Sequence, residues 1–296
     1  MTMIVEVKNL KKKYKKEWVL KGVEFSIPKP QIVALVGPNG SGKTTLLNCM
    51  TNLLAINSGT IKLLGKDYTD PSIFYDISYL QDNRVLYGNL TAYDHLKFVC
   101  GVQKQPDTKI MEVAERIGMT SYLNKRVQNF SLGMKQHLLL ALAIINDPKL
   151  LLLDEPLNGL DPTSAINLRK VLLELHKEGT SMIVSSHNLD EIDRLTNTIF
   201  FMKDGQILQE SLRDYTMKEY YLTVNDVEKA KRVLREHEIN FHMTEEGQIV
   251  FQDKEVSAQQ VILHLNGQDV FIEDLEVNRI GAEKRYLELF EGNVSS

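Results

Sequence analysis

The chain of 296 residues is poor in cysteine, and that shortage already restricts its chemistry. Two cysteines, Cys49 and Cys100, cannot build a disulfide scaffold, and no Cys/His spacing resembles a zinc site. Free thiols in a reducing compartment are the default reading. The N-terminus lacks the apolar block of a secretory signal, since Met1 to Lys13 turns basic after a short apolar start. Long hydrophobic runs are missing too. The longest, Leu138 to Ile145, falls far short of the ~20 residues that cross a bilayer, so the chain is expected not to span a membrane by itself. An excess of one charge is also absent: 35 Lys plus Arg against 39 Asp plus Glu leaves −4. A general nucleic-acid binder is usually basic, so no nucleic-acid partner is expected.

What is present fits an ordinary folded chain. Hydrophobic residues make up 43% and charged ones 25%, which excludes a disordered or fibrous class. The length suits one large or two modest domains. Over the first two hundred or so residues, short β-type runs alternate with longer helical ones, the pattern of an α/β domain. Strands are expected at Met3 to Val7, Val19 to Ile27, Gln31 to Val36, Thr60 to Leu64, Ile77 to Leu80, Leu150 to Asp154, Thr180 to Ser185 and Thr198 to Lys203. Helices are expected at Leu46 to Leu54, from Thr91 to about Met119, at Leu132 to Asn146, and from Asp161-Pro162 to Gly179. Thr91 with Asp94 reads as a capping box, and Asp204-Gly205 as a hairpin turn. Around Ser211 to Met217 the pattern lapses and a boundary is expected. Beyond it the order is strand, helix, strand, strand, helix, strand (Tyr220 to Glu273), closed by a helix at Ala282 to Leu289. That β-α-β-β-α-β order is ferredoxin-like.

The strongest chemical signal is Gly37-Pro38-Asn39-Gly40-Ser41-Gly42-Lys43-Thr44-Thr45, between an apolar strand and a helix. Gly37, Gly40 and Gly42 let backbone N–H groups curl around phosphate oxygens, and the helix that follows offers the positive end of its dipole. Lys43 suits the β- and γ-phosphates, and the Thr44 hydroxyl suits Mg²⁺. The second signal is Leu150-Leu151-Leu152-Leu153-Asp154-Glu155-Pro156. Asp154 ends a buried strand where a carboxylate can hold the metal through water, and Glu155 can take a proton from an attacking water.

With these residues, the sequence over roughly Met3 to Leu208 resembles the ATP-binding subunits of ABC transporters. Phe130-Ser131-Leu132-Gly133-Met134-Lys135-Gln136 stands where that family has its LSGGQ signature, and Asn158-Gly159-Leu160-Asp161-Pro162 resembles its D-loop. His187 after Ser185-Ser186 is similar to its switch histidine, and Gln81 to its Q-loop glutamine. Tyr14 sits where the adenine-stacking aromatic lies; Trp18 is an alternative. The lysine strip around Tyr14 is expected to be a solvated face. The signature departs from the family at Leu132, in place of a glycine, and at Met134, in place of a glutamine. In this form it resembles transporters for peptide antibiotics and bacteriocin immunity.

The resemblance implies a P-loop NTPase of the ABC ATPase fold: a RecA-like core with an antiparallel β subdomain and a helical subdomain over about 85–146. It places an ATP-binding domain at 1–212, and the ferredoxin-like unit read from the element order stands after it as an accessory domain at 217–296. It implies ATP and Mg²⁺ as cofactors, with Glu155, His187 and Lys43 as catalytic residues. Nucleotide would be held by Tyr14, the loop Gly37 to Thr45, Gln81, Ser131, Gly133 and Asp161, and metal by Thr44, Gln81 and Asp154. It further implies a homodimer or heterodimer of ATP-binding subunits, a transmembrane permease partner, and a peripheral position on the inner, cytoplasmic face of the cell membrane. Export of a peptide or antibiotic-type cargo is the expected function. A soluble ABC-type ATPase not coupled to transport is the alternative. The C-terminal unit would add dimer contacts, regulate turnover or merely stabilise.

Overall fold

The structure, a computed structural model, describes residues 3–81, 83–212, 218–252, 256–279 and 281–291. The chain divides into two units, Met1–Glu210 and Ser211–Ser296. Residues 213–217 of the expected boundary lie outside the described residues.

The first unit opens with an antiparallel hairpin of β1 (Val5–Tyr14) and β2 (Glu17–Ile27). β1 runs well past the expected Met3 to Val7, because the lysine strip pairs with β2 on one side and β4 (Ser58–Leu63) on the other. A register shift at Asn9, whose φ is 45°, interrupts the polar alternation that marks a strand in sequence. With β5 (Lys66–Asp67) these strands form a sheet of order β2-β1-β4-β5.

The second sheet carries the site. β3 (Ile32–Val36) is buried on both faces, as its unbroken apolar run requires, and leads through the glycine-rich loop into α1 (Lys43–Met50). β6 (Ile77–Leu80) follows. The single helical stretch expected from Thr91 to Met119 is two helices, α2 (Ala92–Val102) and α3 (Thr108–Ile117). Pro106 lies in the break, where its ring and missing N–H stop a helix. The Thr91–Asp94 capping box does start α2. Then come α4 (Leu132–Ile144), β7 (Leu150–Asp154), α5 (Pro162–Lys177), β8 (Ser181–Ser186), α6 (Leu189–Asp193), β9 (Thr198–Lys203) and β10 (Gln206–Ser211). Asp204 and Gly205, at φ 51° and 76°, make the turn between β9 and β10.

The strand order is β10-β9-β3-β8-β7-β6, with parallel pairing from β9 through to β6. Parallel neighbours end at the same edge, so the loops after β3, β7 and β8 meet there. One apolar core joins this sheet to α2–α5 through Leu96, Ile110, Leu140 and Leu172, and a second joins it to the antiparallel sheet through Leu20, Phe25, Leu47 and Phe200. Cys49 and Cys100 are free and buried, and burial pushes the Cys49 thiol up to about 11 against the pull of Lys12. Among the described residues no helix is long and apolar enough to cross a membrane.

The second unit contains β11 (Lys218–Val224), α7 (Val227–Glu236), β12 (Phe241–Met243), β13 (Ile249–Gln252), α8 (Ala258–Asn266), β14 (Ile272–Arg279) and α9 (Ala282–Phe290). Its antiparallel sheet has the order β12-β13-β11-β14. This is the arrangement a split βαβ demands. Leu222, Val233, Leu234, Phe251 and Val261 form its own core. β14 extends beyond the expected end at Glu273 because it is an edge strand, where Asp274 and Glu276 are tolerated and mask the apolar alternation.

Candidate nucleotide site

The loop after β3 is shaped by its glycines. Gly40 and Gly42 stand at φ 81° and 111°, which L-residues with a Cβ rarely adopt. At Gly37 an added Cβ would lie 2.7 Å from the Met202 carbonyl and 2.8 Å from Ser41 Oγ. Gly42 caps α1 without any side-chain hydrogen bond, so the first N–H groups of the helix remain available to an anion. Ser41 Oγ is buried and has no hydrogen-bond partner among the described residues, a second donor left for a ligand oxygen. Pro38 and Asn39 lie exposed on the rim of the loop, and Thr45 is half-buried in α1.

Lys43 is 93% buried (7% exposed), with Nζ donating to the carbonyls of Gly37 at 2.7 Å and Pro38 at 3.4 Å. Burial pushes its pKa down, and the charges of Glu155 and Asp154 oppose that push. A buried ammonium facing bare N–H donors and two carboxylates is a cation waiting for a polyanion. Thr44 Oγ1 donates to Asp154 Oδ2 at 2.7 Å, and Ser185 Oγ donates to Asp154 Oδ1 at 2.6 Å. Glu155, at φ 51°, donates its N–H to Ser185 Oγ at 2.9 Å. Its carboxylate Oε2 lies 2.8 Å from His187 Nδ1. The site thus assembles Lys43, Thr44, Asp154, Glu155 and His187, all expected from sequence, around Ser185, which was not among the expected site residues. The one signal for Ser185 was a polar residue at the end of an apolar strand.

Other expected residues stand apart from this cluster. Gln81 follows β6 and lines a groove of about 390 Å³ with Leu53, Phe74, Val85, Val99 and Gln103. Among the described residues it makes no hydrogen bond to Thr44 or Asp154. Ser131 caps α4, its Oγ accepting from the Met134 N–H at 3.3 Å. A Cβ on Gly133 would meet Ser164 at 3.2 Å and Leu160 at 3.8 Å, and one on Gly159 would meet Leu132 at 2.6 Å, so the signature segment abuts the D-loop segment. Asp161 caps α5 by accepting from the N–H groups of Thr163 and Ser164 and the Ser164 hydroxyl. Those bonds, the Ser164 hydroxyl first, hold its carboxyl below the usual range. Tyr14 is 45% exposed and lies opposite Glu17 at the hairpin end, with Lys12 Nζ 5.5 Å from its ring centre. Trp18 is 42% exposed and carries Lys13 at 5.2 Å, so each aromatic is partly exposed with a lysine over its ring.

A strand–loop–helix cradle of backbone donors, one buried lysine, and a hydroxyl–carboxylate pair at the same sheet edge define a P-loop nucleotide triphosphatase. The comparisons narrow the class. The family model described as "ABC transporter" matches residues 20–158. The ABC transporter ATP-binding protein YcbN of Bacillus subtilis is 35% identical, over 99% of this chain and 99% of that protein. The lantibiotic transport ATP-binding protein SrtF of Streptococcus pyogenes is 37% identical over 71% of this chain and 92% of its own length. The bacitracin transport ATP-binding protein BcrA of Enterococcus faecalis is 34% identical over 83% and 81%. A solved ATP-binding subunit of an ABC transporter shares the fold, with a TM-score of 0.66 at 22% identity, over 89% of this chain and 99% of that one. The chain belongs to the ABC transporter ATP-binding family: it is a transport-coupled ATPase subunit that binds and hydrolyses ATP.

Proposed function

We propose that this chain powers an exporter by closing with a second ATP-binding subunit, a copy of itself or a related chain, around Mg²⁺ and ATP. The observation that carries the reading is the separation of the signature from the phosphate loop. Ser131 and Gly133 meet Met134, Ser164 and Leu160 rather than residues of the loop, so a γ-phosphate held by Lys43 needs the signature of another chain. Ser131 would then offer its hydroxyl, and α4 its N-terminus, to nucleotide bound by the partner. Asp161, at the start of α5 beside that signature, belongs to the same dimer face. Tyr14 would stack the base, with Trp18 as the alternative.

Thr44 and Asp154 fit Mg²⁺ by chemistry, because a hydroxyl and a carboxylate 2.7 Å apart are hard oxygen donors. Among the described residues no group of three or more His, Cys, Asp or Glu could hold a metal. Gln81 is assigned to the same ion on resemblance alone. When bound, Mg²⁺ neutralises charge on the β- and γ-phosphates. Lys43 binds the same oxygens, Glu155 accepts a proton from or orients the attacking water, and His187 steadies the γ-phosphate.

The permease partner would dock on the groove beside Gln81. Its lining includes Leu53 and Val85, 56% and 48% exposed, and apolar side chains left open on an ATPase suit a protein neighbour. Gln103 Oε1, buried there without a hydrogen-bond partner among the described residues, asks for a donor from that neighbour. Docking would hold the chain at the inner, cytoplasmic face of the membrane. The names of the lantibiotic and bacitracin relatives favour a peptide or antibiotic-type cargo. Residues 1–212 serve as the ATP-binding domain, with 85–146 as its helical subdomain, and 217–296 as an accessory domain that adds dimer contacts, regulates turnover or stabilises the chain. Leu53→Asp tests the docking. It is expected to cut co-purification with the co-expressed permease about tenfold, the worth of ~1.4 kcal/mol, with ATP affinity unchanged. Undiminished co-purification would move the docking surface elsewhere.

A further inference from the structure

Ser185 is fully buried at the end of β8, in direct register with Asp154 of β7. Its hydroxyl has one proton to give and lone pairs to accept with, and here both capacities are spent on adjacent residues of the reaction centre. The proton goes to Asp154 Oδ1 at 2.6 Å, and a lone pair receives the Glu155 N–H at 2.9 Å. The second bond matters because Glu155 sits at φ 51°, a left-handed backbone that a glutamate keeps only when its surroundings hold it there. That turn of the chain brings the Glu155 carboxylate to His187, two residues beyond Ser185. Asp154 has its other oxygen engaged by Thr44, the residue that leaves for the metal when nucleotide binds in the proposed reading.

We propose that Ser185 is a positioning residue that locks the metal-binding carboxylate and the water-activating glutamate to one another. The inference rests on the roles proposed above for Asp154 and Glu155. Ser185 keeps its proton throughout and touches neither nucleotide nor water. It holds Asp154 oriented toward the metal after Thr44 lets go, and it fixes the strained peptide that aims Glu155. A side chain without a hydroxyl leaves the part-buried Glu155 N–H without this partner, and the Glu155 backbone relaxes away from the left-handed state.

The discriminating pair is Ser185→Thr and Ser185→Val, equal in shape and different only in the hydroxyl; Ser185→Ala decides if the bulk of valine prevents folding. With the full chain, kcat is expected to fall about tenfold or more in S185V and S185A, with KM for ATP within about threefold of the parent. Calorimetric ATP affinity without Mg²⁺ should be unchanged, whereas the gain in affinity on adding Mg²⁺ should shrink. S185T should restore both kcat and the Mg²⁺ gain toward the parent values. Equal kcat and equal Mg²⁺ gain in S185T and S185V, or in S185T and S185A where valine does not fold, would overturn the proposal. Glu155→Gln, measured alongside, separates the two layers. Parent-like hydrolysis in E155Q would overturn the reading of the site itself, while a dead E155Q beside matching S185T and S185V overturns only the role of Ser185.

Discussion

At the scale of single residues, the site is a set of charges arranged so that each needs a ligand or a neighbour. Lys43 is buried against its own loop carbonyls, so removing it deletes a cation and leaves the Gly37 carbonyl unpaired. Lys43→Ala is expected to weaken ATP binding by roughly ten- to a hundredfold, the ~1.5–3 kcal/mol of a charged hydrogen bond, as read by calorimetry. Glu155→Gln keeps the shape and the contact with His187 but removes the proposed proton acceptor. ATP affinity should stay within about threefold while hydrolysis drops ~10²–10⁴-fold in a single-turnover assay. These residues stand out in the chain as candidates because phosphate, metal and water each ask for a particular side chain. Ser185 does not, since a serine in a strand carries no signal until its two neighbours are known.

At the scale of elements, the design is a matter of strand ends. Gly37 closes β3 against the Met202 carbonyl, a backbone atom that cannot step aside. Gly40 faces open space and is demanding only in its φ of 81°. Gly37→Ala should therefore cost about 1–3 kcal/mol in denaturant unfolding and abolish tight ATP binding. Gly40→Ala should cost ~1–2 kcal/mol, with the weaker effect on ATP affinity. A larger loss in G40A than in G37A would contradict this order. The elements themselves were mostly visible from apolar period and caps. The exceptions have local causes: Pro106 splits one helical stretch, and β1 hides behind its lysines and the shift at Asn9.

At the scale of the whole molecule, the second unit has its own core and its own acid sensitivity. Glu219 on β11 is 9% exposed, and it accepts from Lys284 of α9 and Gln252 of β13, each at 2.9 Å. Burial pushes its carboxyl up, but the bonds from Lys284, Gln252 and Tyr221 and the Lys284 charge outweigh that and hold it below 4.5. A carboxyl depressed in the folded state stabilises above its unfolded pKa, and the contribution is lost as pH falls through the folded value. Hydrogen exchange of β11 in the full chain should accelerate as pH drops below 4.5, after correction for intrinsic exchange, and Glu219→Gln should flatten that dependence. An identical pH profile in E219Q would remove Glu219 from the account.

The order of elements and the chemical types at the site followed from the residues alone, because turn formation, helix capping and phosphate or metal affinity are properties of short segments. The split-βαβ order of the last 80 or so residues was legible for the same reason. Adjacency was not. That β8 lies between β3 and β7 is decided by pairing between residues far apart in sequence, and only that order brings His187 and Ser185 beside Asp154 and Glu155. The same long-range packing sets the signature against Ser164 and Leu160 instead of the phosphate loop, and it leaves the groove by Gln81 uncovered.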